Sequence, residues 1–212
     1  MDVRTPIARS PVDRVERSFY FAAMSKLTTD TQQKILATAE ALIYQNGIHA
    51  TGMDLLVKTS GVARKSIYRH FENKDDVAAA ALKARDVRWL AWFRHECEKA
   101  DSPEARILGM FTVLKNWFQS EGYRGCAFIN TAGEVGDPAD PIREIARNHK
   151  QKLLDYTREL TEQLDVEQPA DLARQLLILM EGAITLSRVM GDYSAADTAK
   201  DVAKLLLEQA KR

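Results

Sequence analysis

Gly61 stands between two short stretches of helical character, and this restricts the chain more than any other feature. On one side, Leu55, Leu56 and Val57 give residues 51–60 an apolar side. On the other, Val62 and Ile67 are spaced to pack a second short helix onto the first. Glycine adopts left-handed backbone at little cost, so Ser60-Gly61-Val62 reads as the turn of a helix-turn-helix. Thr51 is placed to cap the first helix, with Asp54 three residues on as an incomplete capping box. The second helix, about residues 63–70, carries Arg64, Lys65, Ser66, Tyr68, Arg69 and His70. A short helix dense in donors, with an aromatic ring among the cations, suits the major groove of duplex DNA, where Arg and Lys read guanine edges. Such charges also fit a solvated basic face. The turn, the aromatic ring and the amphipathic helix before it favour the DNA reading.

The run Gly61-Val62-Ala63-Arg64-Lys65-Ser66-Ile67-Tyr68-Arg69-His70-Phe71-Glu72-Asn73-Lys74 resembles the signature of the tetracycline-repressor (TetR) family of bacterial transcription regulators. With the helix before it, the similarity covers roughly residues 29–77. The resemblance implies an all-α homodimer that binds a pseudo-palindromic operator in double-stranded DNA and releases it when a small-molecule inducer enters a second domain. By matching position, Arg64, Lys65, Ser66 and Tyr68 would face bases, while Thr51, Arg69, His70 and Lys74 would hold phosphates. Two positions depart from the family pattern. Ala63 stands where a Ser often caps the recognition helix, removing a cap worth about 1 kcal/mol. Arg69 replaces a frequent second Tyr and makes that contact more electrostatic.

The chain has 212 residues and a formal net charge of zero, so affinity for nucleic acid must come from a local patch such as residues 58–74. Its two cysteines, Cys97 and Cys126, argue against a disulfide framework and fit a reducing cytoplasm. No apolar run approaches the roughly 18–20 residues of a membrane span. Gly and Pro are sparse and sit at likely boundaries, which predicts long helices, about nine in all.

Residues 1–28 lack a clear period and read as a disordered arm whose arginines could touch DNA, with Met24 a candidate natural start. A DNA-binding unit over 29–74 and a helical ligand-binding and dimerisation domain over 75–212 follow. Thr29 and Gln32 form a capping box for a helix over 30–46, whose Ile35, Leu36, Ala39, Leu42 and Ile43 share a face and which Gly47 ends. His49 reads as a solvated loop residue. Asn73 can cap a helix running to about Lys99, with Asp75 and Asp76 in its first turn. That helix would link the DNA-binding unit to the second domain and carry a ligand signal. Further helices are expected from Pro103 to about Glu121, from Pro141 to about Leu164, over 170–190, and over 195–211 with Ser194 and Asp197 as a capping pair. Residues 126–135 mix apolar and small polar groups between two breaks.

Trp89, Phe93, Met110, Trp117, Phe118, Phe128 and Met180 either line an apolar ligand cavity or form ordinary core. Asn130, Thr131 and Glu134 either orient a ligand or satisfy backbone groups at the break. Cys126, after Gly125 at a helix start, is either an inert buried thiol or one with a lowered pKa. Leu172, Leu176, Leu179, Ala183, Leu186 and Met190 make one apolar stripe of the helix over 170–190, and Ala173, Leu177, Met180 and Ile184 make another. A helix with two apolar faces needs two partners. We assign the first stripe, with Val202, Leu205 and Leu206 of the last helix, to a four-helix contact with a second subunit.

The sequence carries no Gly-rich phosphate loop, no Cys-x-x-Cys pair and no nucleophile elbow, and its four histidines are scattered. No cofactor, metal or catalytic residue is expected. The reading is a ligand-responsive DNA-binding regulator, most simply a repressor. The alternative is an all-helical carrier or enzyme for a small molecule or lipid, which would show no salt-dependent affinity for DNA.

Overall fold

The computed structural model describes residues 29–211, so the expected arm over 1–28 lies outside the described residues. Among them are nine α-helices and no strand. We number them α1 (Asp30–Asn46), α2 (Met53–Ser60), α3 (Arg64–Tyr68), α4 (Lys74–Cys97), α5 (Pro103–Phe118), α6 (Ala127–Glu134), α7 (Pro141–Thr161), α8 (Pro169–Met190) and α9 (Ala195–Ala210).

The first core joins α1 to α4. Ile35, Leu36, Ala39 and Leu42 of α1 meet Leu56, Val62, Ile67, Phe71, Val77 and Ala81. Thr29 caps α1 as expected, its hydroxyl accepting the Gln32 N–H at 3.2 Å. Gly47 ends the helix at φ +89°. Gly61 adopts φ +64°, the left-handed conformation that the turn requires.

The larger core lies among α4 to α9 and holds Phe93, Met110, Phe111, Leu114, Phe118, Leu153, Leu176 and Met180. Helix α4 belongs to both cores: Val77 and Ala81 point into the first, Ala78 and Leu82 into the second. Asn73 caps α4 by accepting the N–H groups of Asp75 (2.8 Å) and Asp76 (2.9 Å). Helix α9 packs on α5 and α8, and α7 on α4, α6 and α8.

Two expected caps are replaced. Gly52, not Thr51, is the N-cap of α2, without a side-chain bond; the Thr51 hydroxyl donates instead to the Gly47 carbonyl at 2.7 Å. Ser194 precedes α9 but gives it no side-chain cap, because its hydroxyl bonds Asp192. In both cases a nearby acceptor competes successfully for the hydroxyl. Residues 127–134 form a regular helix, which the mixed sequence there had not specified.

Candidate nucleic-acid interface and effector cavity

Helix α3 is only five residues long, shorter than the eight expected, and Ala63 supplies no side-chain cap. Ile67, fully buried, anchors it, with Val62 and Phe71 buried on either side. The Val62 N–H bonds the Ser60 hydroxyl at 3.2 Å, which holds the turn into α3. This leaves Arg64, Lys65, Tyr68, Arg69 and His70 exposed and Ser66 half-buried on one surface of the unit. Arg64 is ion-paired with Asp54 of α2. Both partners are exposed, so the pair opens at little cost. Lys74 is half-buried, its ammonium 3.5 Å from the Ile48 carbonyl. Thr51 is buried, and its bond to Gly47 turns the hydroxyl away from the role of phosphate ligand. That is a correction for its side chain.

In the second domain a small cavity, partly open to solvent and with room for little more than one water, lies among α4, α5, α6, α7 and α8. Trp89, Trp117 and Phe128 line it, as the cavity reading expected. Phe93, Met110, Phe118 and Met180 do not; they are buried in the core, which was the other reading. Asn130, Thr131 and Glu134 are also elsewhere engaged. The Asn130 amide donates to the Arg124 carbonyl, and the Thr131 hydroxyl to the Ala127 carbonyl, each at 2.9 Å. The Glu134 carboxylate accepts the His49 N–H at 3.2 Å, and its carbonyl lies 2.9 Å from His49 Nε2. All three therefore serve the backbone at the helix break, and His49, exposed in its loop as expected, also ties that loop to α6.

Sequence reasoning missed the polar lining of the cavity: Arg85, His149 and Lys150. For His149 a signal existed. It shares helical spacing with Ile142, Ile145, Leu153 and Tyr156, all buried on α7, so it had to face inward. Its ring stacks on Phe128 with centroids 3.8 Å apart. Its Nδ1–H donates to Asp86 of α4 at 2.8 Å, and Lys152 also pairs with that carboxylate. Burial raises the pKa of Asp86, but the bonds from His149 and Lys152 more than offset this and hold it below the ordinary value. Lys150 is ion-paired with Glu181 at 2.7 Å and lies 3.3 Å from Cys126 Sγ. Burial pushes the Cys126 thiol up, yet Lys150 and His149 pull harder, and its pKa falls to about 7. Among the described residues no three His, Cys, Asp or Glu side chains gather as metal ligands.

On α8 the stripe drawn for a partner subunit is divided. Leu172, Leu176 and Ala183 are buried in the chain's own core and are withdrawn from that role. Leu179 is half-buried. Leu186 and Met190 are exposed, and with them Ile178 and Val189, which are 69% and 77% exposed. Leu205 (64%) and Val202 are the exposed residues expected on α9, and Leu206 is half-buried. The outward apolar face thus keeps Leu186 and Met190 of the predicted stripe and adds Ile178 and Val189 in place of its buried members. No helix among the described residues is long and apolar enough to cross a membrane.

A three-helix unit that displays an exposed cationic helix, mounted on a larger helical body, defines a helix-turn-helix DNA-binding regulator of transcription. Comparison with known proteins agrees. The pattern described as "Bacterial regulatory proteins, tetR family" matches residues 35–81, and the "Tetracyclin repressor-like, C-terminal domain" matches residues 103–203. The chain is 25% identical over 181 residues to the HTH-type transcriptional regulator YjdC of Escherichia coli, covering 85% of this chain and 95% of the relative. It is 30% identical over 163 residues to the uncharacterized HTH-type transcriptional regulator YxaF of Bacillus subtilis, covering 74% and 85%. The crystal structure of SCO4454, a TetR-family transcriptional regulator from Streptomyces coelicolor, superimposes with a TM-score of 0.84 at 26% identity over 92% of this chain and 96% of that one. The protein belongs to the TetR family.

Proposed function

We propose that this regulator is a ligand-responsive repressor that works in the cytoplasm as a homodimer on a pseudo-palindromic operator and is released by a small-molecule inducer. The exposed, cationic α3 carries the reading. Two copies related by a two-fold axis would enter successive major grooves about 34–36 Å apart. Arg64, Lys65, Ser66 and Tyr68 are the base-facing candidates, and Arg69, His70 and Lys74 the phosphate-facing ones. Arg64 is exposed and its surface pair with Asp54 opens at little cost, which supports a role for it against DNA.

The outward apolar face of α8 and α9 supports the dimer, since an exposed row of Ile178, Leu186, Val189 and Leu205 is costly in water without a cover. The cavity supports the inducer. It touches α4 through Arg85 and Trp89, and near its other end α4 packs Val77 and Ala81 into the first core, which also holds Ile67 and Phe71. A ligand shifts such a system only by binding the released state more tightly than the DNA-bound one.

The test is a selection of bound fragments from the source genome, followed by titration of the recovered duplex. Arg64→Ala is expected to cost about 1–3 kcal/mol and to relax preference at one base position. Lys74→Ala is expected to weaken all sequences alike and to lower the salt slope by about one. A protein indifferent to duplex DNA at low salt would overturn the reading.

A further inference from the structure

Lys34 belongs to α1, yet its charge stands beside the turn of the helix-turn-helix. A β-carbon on Gly61 would lie 3.9 Å from the Lys34 ammonium, which places that charge against the turn that leads into Arg64. Packing sets the position. Ile35 and Leu36, the next residues along, are buried in the first core and fix the face that α1 turns outward. Lys34 itself is exposed, and among the described residues its ammonium has neither a hydrogen bond nor an ion pair, with Asp30 one turn earlier or with any other group. Further cations surround the same turn. Lys58 lies in the last turn of α2, and Arg64 and Lys65 open α3, all of them exposed. Asp54 is already paired with Arg64. The corner where α3 begins therefore carries more positive charge than the Asp54 carboxylate answers.

We infer that Lys34 binds a backbone phosphate of the duplex at the edge of the groove that α3 enters, which extends the DNA contact surface onto α1. This rests on α3 being the reading helix of the proposed regulator, and it deepens that reading. A helix with its side chains is about 10–12 Å across and the major groove about 12 Å wide, so the helix fills the groove and the phosphate rows pass along its flanks and its ends. In a helix-turn-helix the N-terminal residues of the second helix meet the base edges. Here those residues are Arg64 and Lys65, so the turn before them comes up to the groove wall and carries the Lys34 ammonium with it. A lysine ammonium is a compact charge on a flexible stem, suited to a phosphate oxygen and indifferent to the base beside it. Lys34 also displaces no internal partner on binding, whereas Arg64 has to leave Asp54.

The test compares Lys34→Met with Lys83→Met in the full-length protein. Lys83 is also exposed and without a partner among the described residues, but it stands on α4, outside the proposed surface. Affinity is measured by fluorescence anisotropy over a range of salt, with the recovered operator duplex and with a scrambled one. Lys34→Met keeps the aliphatic stem and removes the charge. It is expected to lower the salt slope by about one and to weaken both duplexes alike, by about fivefold at about 0.15 M salt. Lys34→Arg keeps the charge and is expected to retain the slope, and Lys83→Met to leave it unchanged. An unchanged slope in Lys34→Met would overturn the inference. So would an equal loss in Lys83→Met, which would reduce the effect to net charge, and so would a loss confined to the operator, which would mean base readout. Should Lys34→Met not fold, lysine acetylation of the wild-type protein decides, followed by mass spectrometry. Duplex is expected to protect Lys34 severalfold and to leave Lys83 reactive; equal labelling of Lys34 with and without duplex counts against the contact. A wild-type protein without duplex affinity would sink the reading of α3 itself, whereas one that binds duplex with Lys34→Met as its equal would sink this contact alone.

Discussion

Glu40 on α1 receives the guanidinium of Arg85 from α4 at 2.8 Å, and Arg88 closes on the same carboxylate. The three side chains are almost wholly shielded, with 10% of each guanidinium side chain and 11% of Glu40 exposed. Arg85 also lies over the Tyr44 ring at 4.2 Å and forms part of the cavity wall. One residue therefore touches the DNA-binding unit and the cavity of the second domain together.

Glu40→Gln is expected to destabilise the protein by about 3 kcal/mol, because removing one member of a buried ionic group leaves charge without its counterpart. Burial pushes the Glu40 carboxyl up, but Arg88 and Arg85 outweigh it and hold the pKa below 4.5. A carboxyl with a depressed folded value contributes its full stability above the unfolded value and loses it as pH falls through the folded one. Asp86 behaves alike, from 3.8 downward. Urea midpoints are thus expected to be flat from neutrality to about pH 5 and to fall below pH 4.5, with a shallower fall in the Glu40→Gln protein.

Tyr44→Phe is expected to loosen α6 from the DNA-binding unit. The Tyr44 hydroxyl donates to the Gly125 carbonyl and accepts the Arg124 N–H, both at 2.9 Å, at the foot of α6. His49 grips the other end of the same helix through Glu134. We expect a stability loss of about 1–2 kcal/mol from two missing bonds. Operator affinity without ligand should stay within a few-fold, and the effector's influence on it should shrink. An unchanged effector response, read by fluorescence anisotropy with labelled duplex, would show that the signal bypasses these bonds.

Cys126 and Cys97 should separate sharply in alkylation. Burial, with Glu96 and Glu98 adding to it, pushes Cys97 up to about 12, whereas Cys126 sits at about 7. The thiolate is the reactive form. The rate of iodoacetamide labelling, followed by intact mass, should therefore rise with a midpoint near pH 7 at Cys126 and stay negligible at Cys97. Removing the pair Lys150–Glu181 together, by Lys150→Met with Glu181→Gln, keeps the charge balanced and should move the midpoint up by about one unit or more.

Val189→Glu places a carboxylate in the most exposed position of the α8 face. In a two-fold contact each substitution appears twice, and desolvating each charge costs several kcal/mol. Sedimentation should show a monomer with unchanged helical content, and operator affinity should collapse with it. A dimer that survives this change would place the contact on another surface.

Much of this architecture could be read from residue order, and the failures share one cause. Helical spacing and breaks located the long helices because they depend on local pattern: Thr29, Asn73, Pro103 and Pro141 start helices where they were expected to. The two missed caps, Thr51 and Ser194, each found a tertiary or turn acceptor that local pattern does not reveal. The cavity's aromatic wall was legible in type but not in membership. Phe93 and Trp89 are one turn apart on α4, and only the packing of α5 and α7 decides that Trp89 meets open space and Phe93 does not. The α8 stripe failed similarly. Both faces are apolar, so periodicity cannot tell which one the chain keeps for itself, and Leu176 and Val189 sort only once α5, α7 and α9 are in place.

Helix α3 is held by a single deeply inserted residue, Ile67, between the flanking anchors Val62 and Phe71. Its remaining positions are spectators of folding. Lineages carrying this scaffold can therefore rewrite Lys65, Ser66, Tyr68 and Arg69 with little penalty to the protein itself, and a duplicated copy could drift to a new target site while its larger helical body stays as it was.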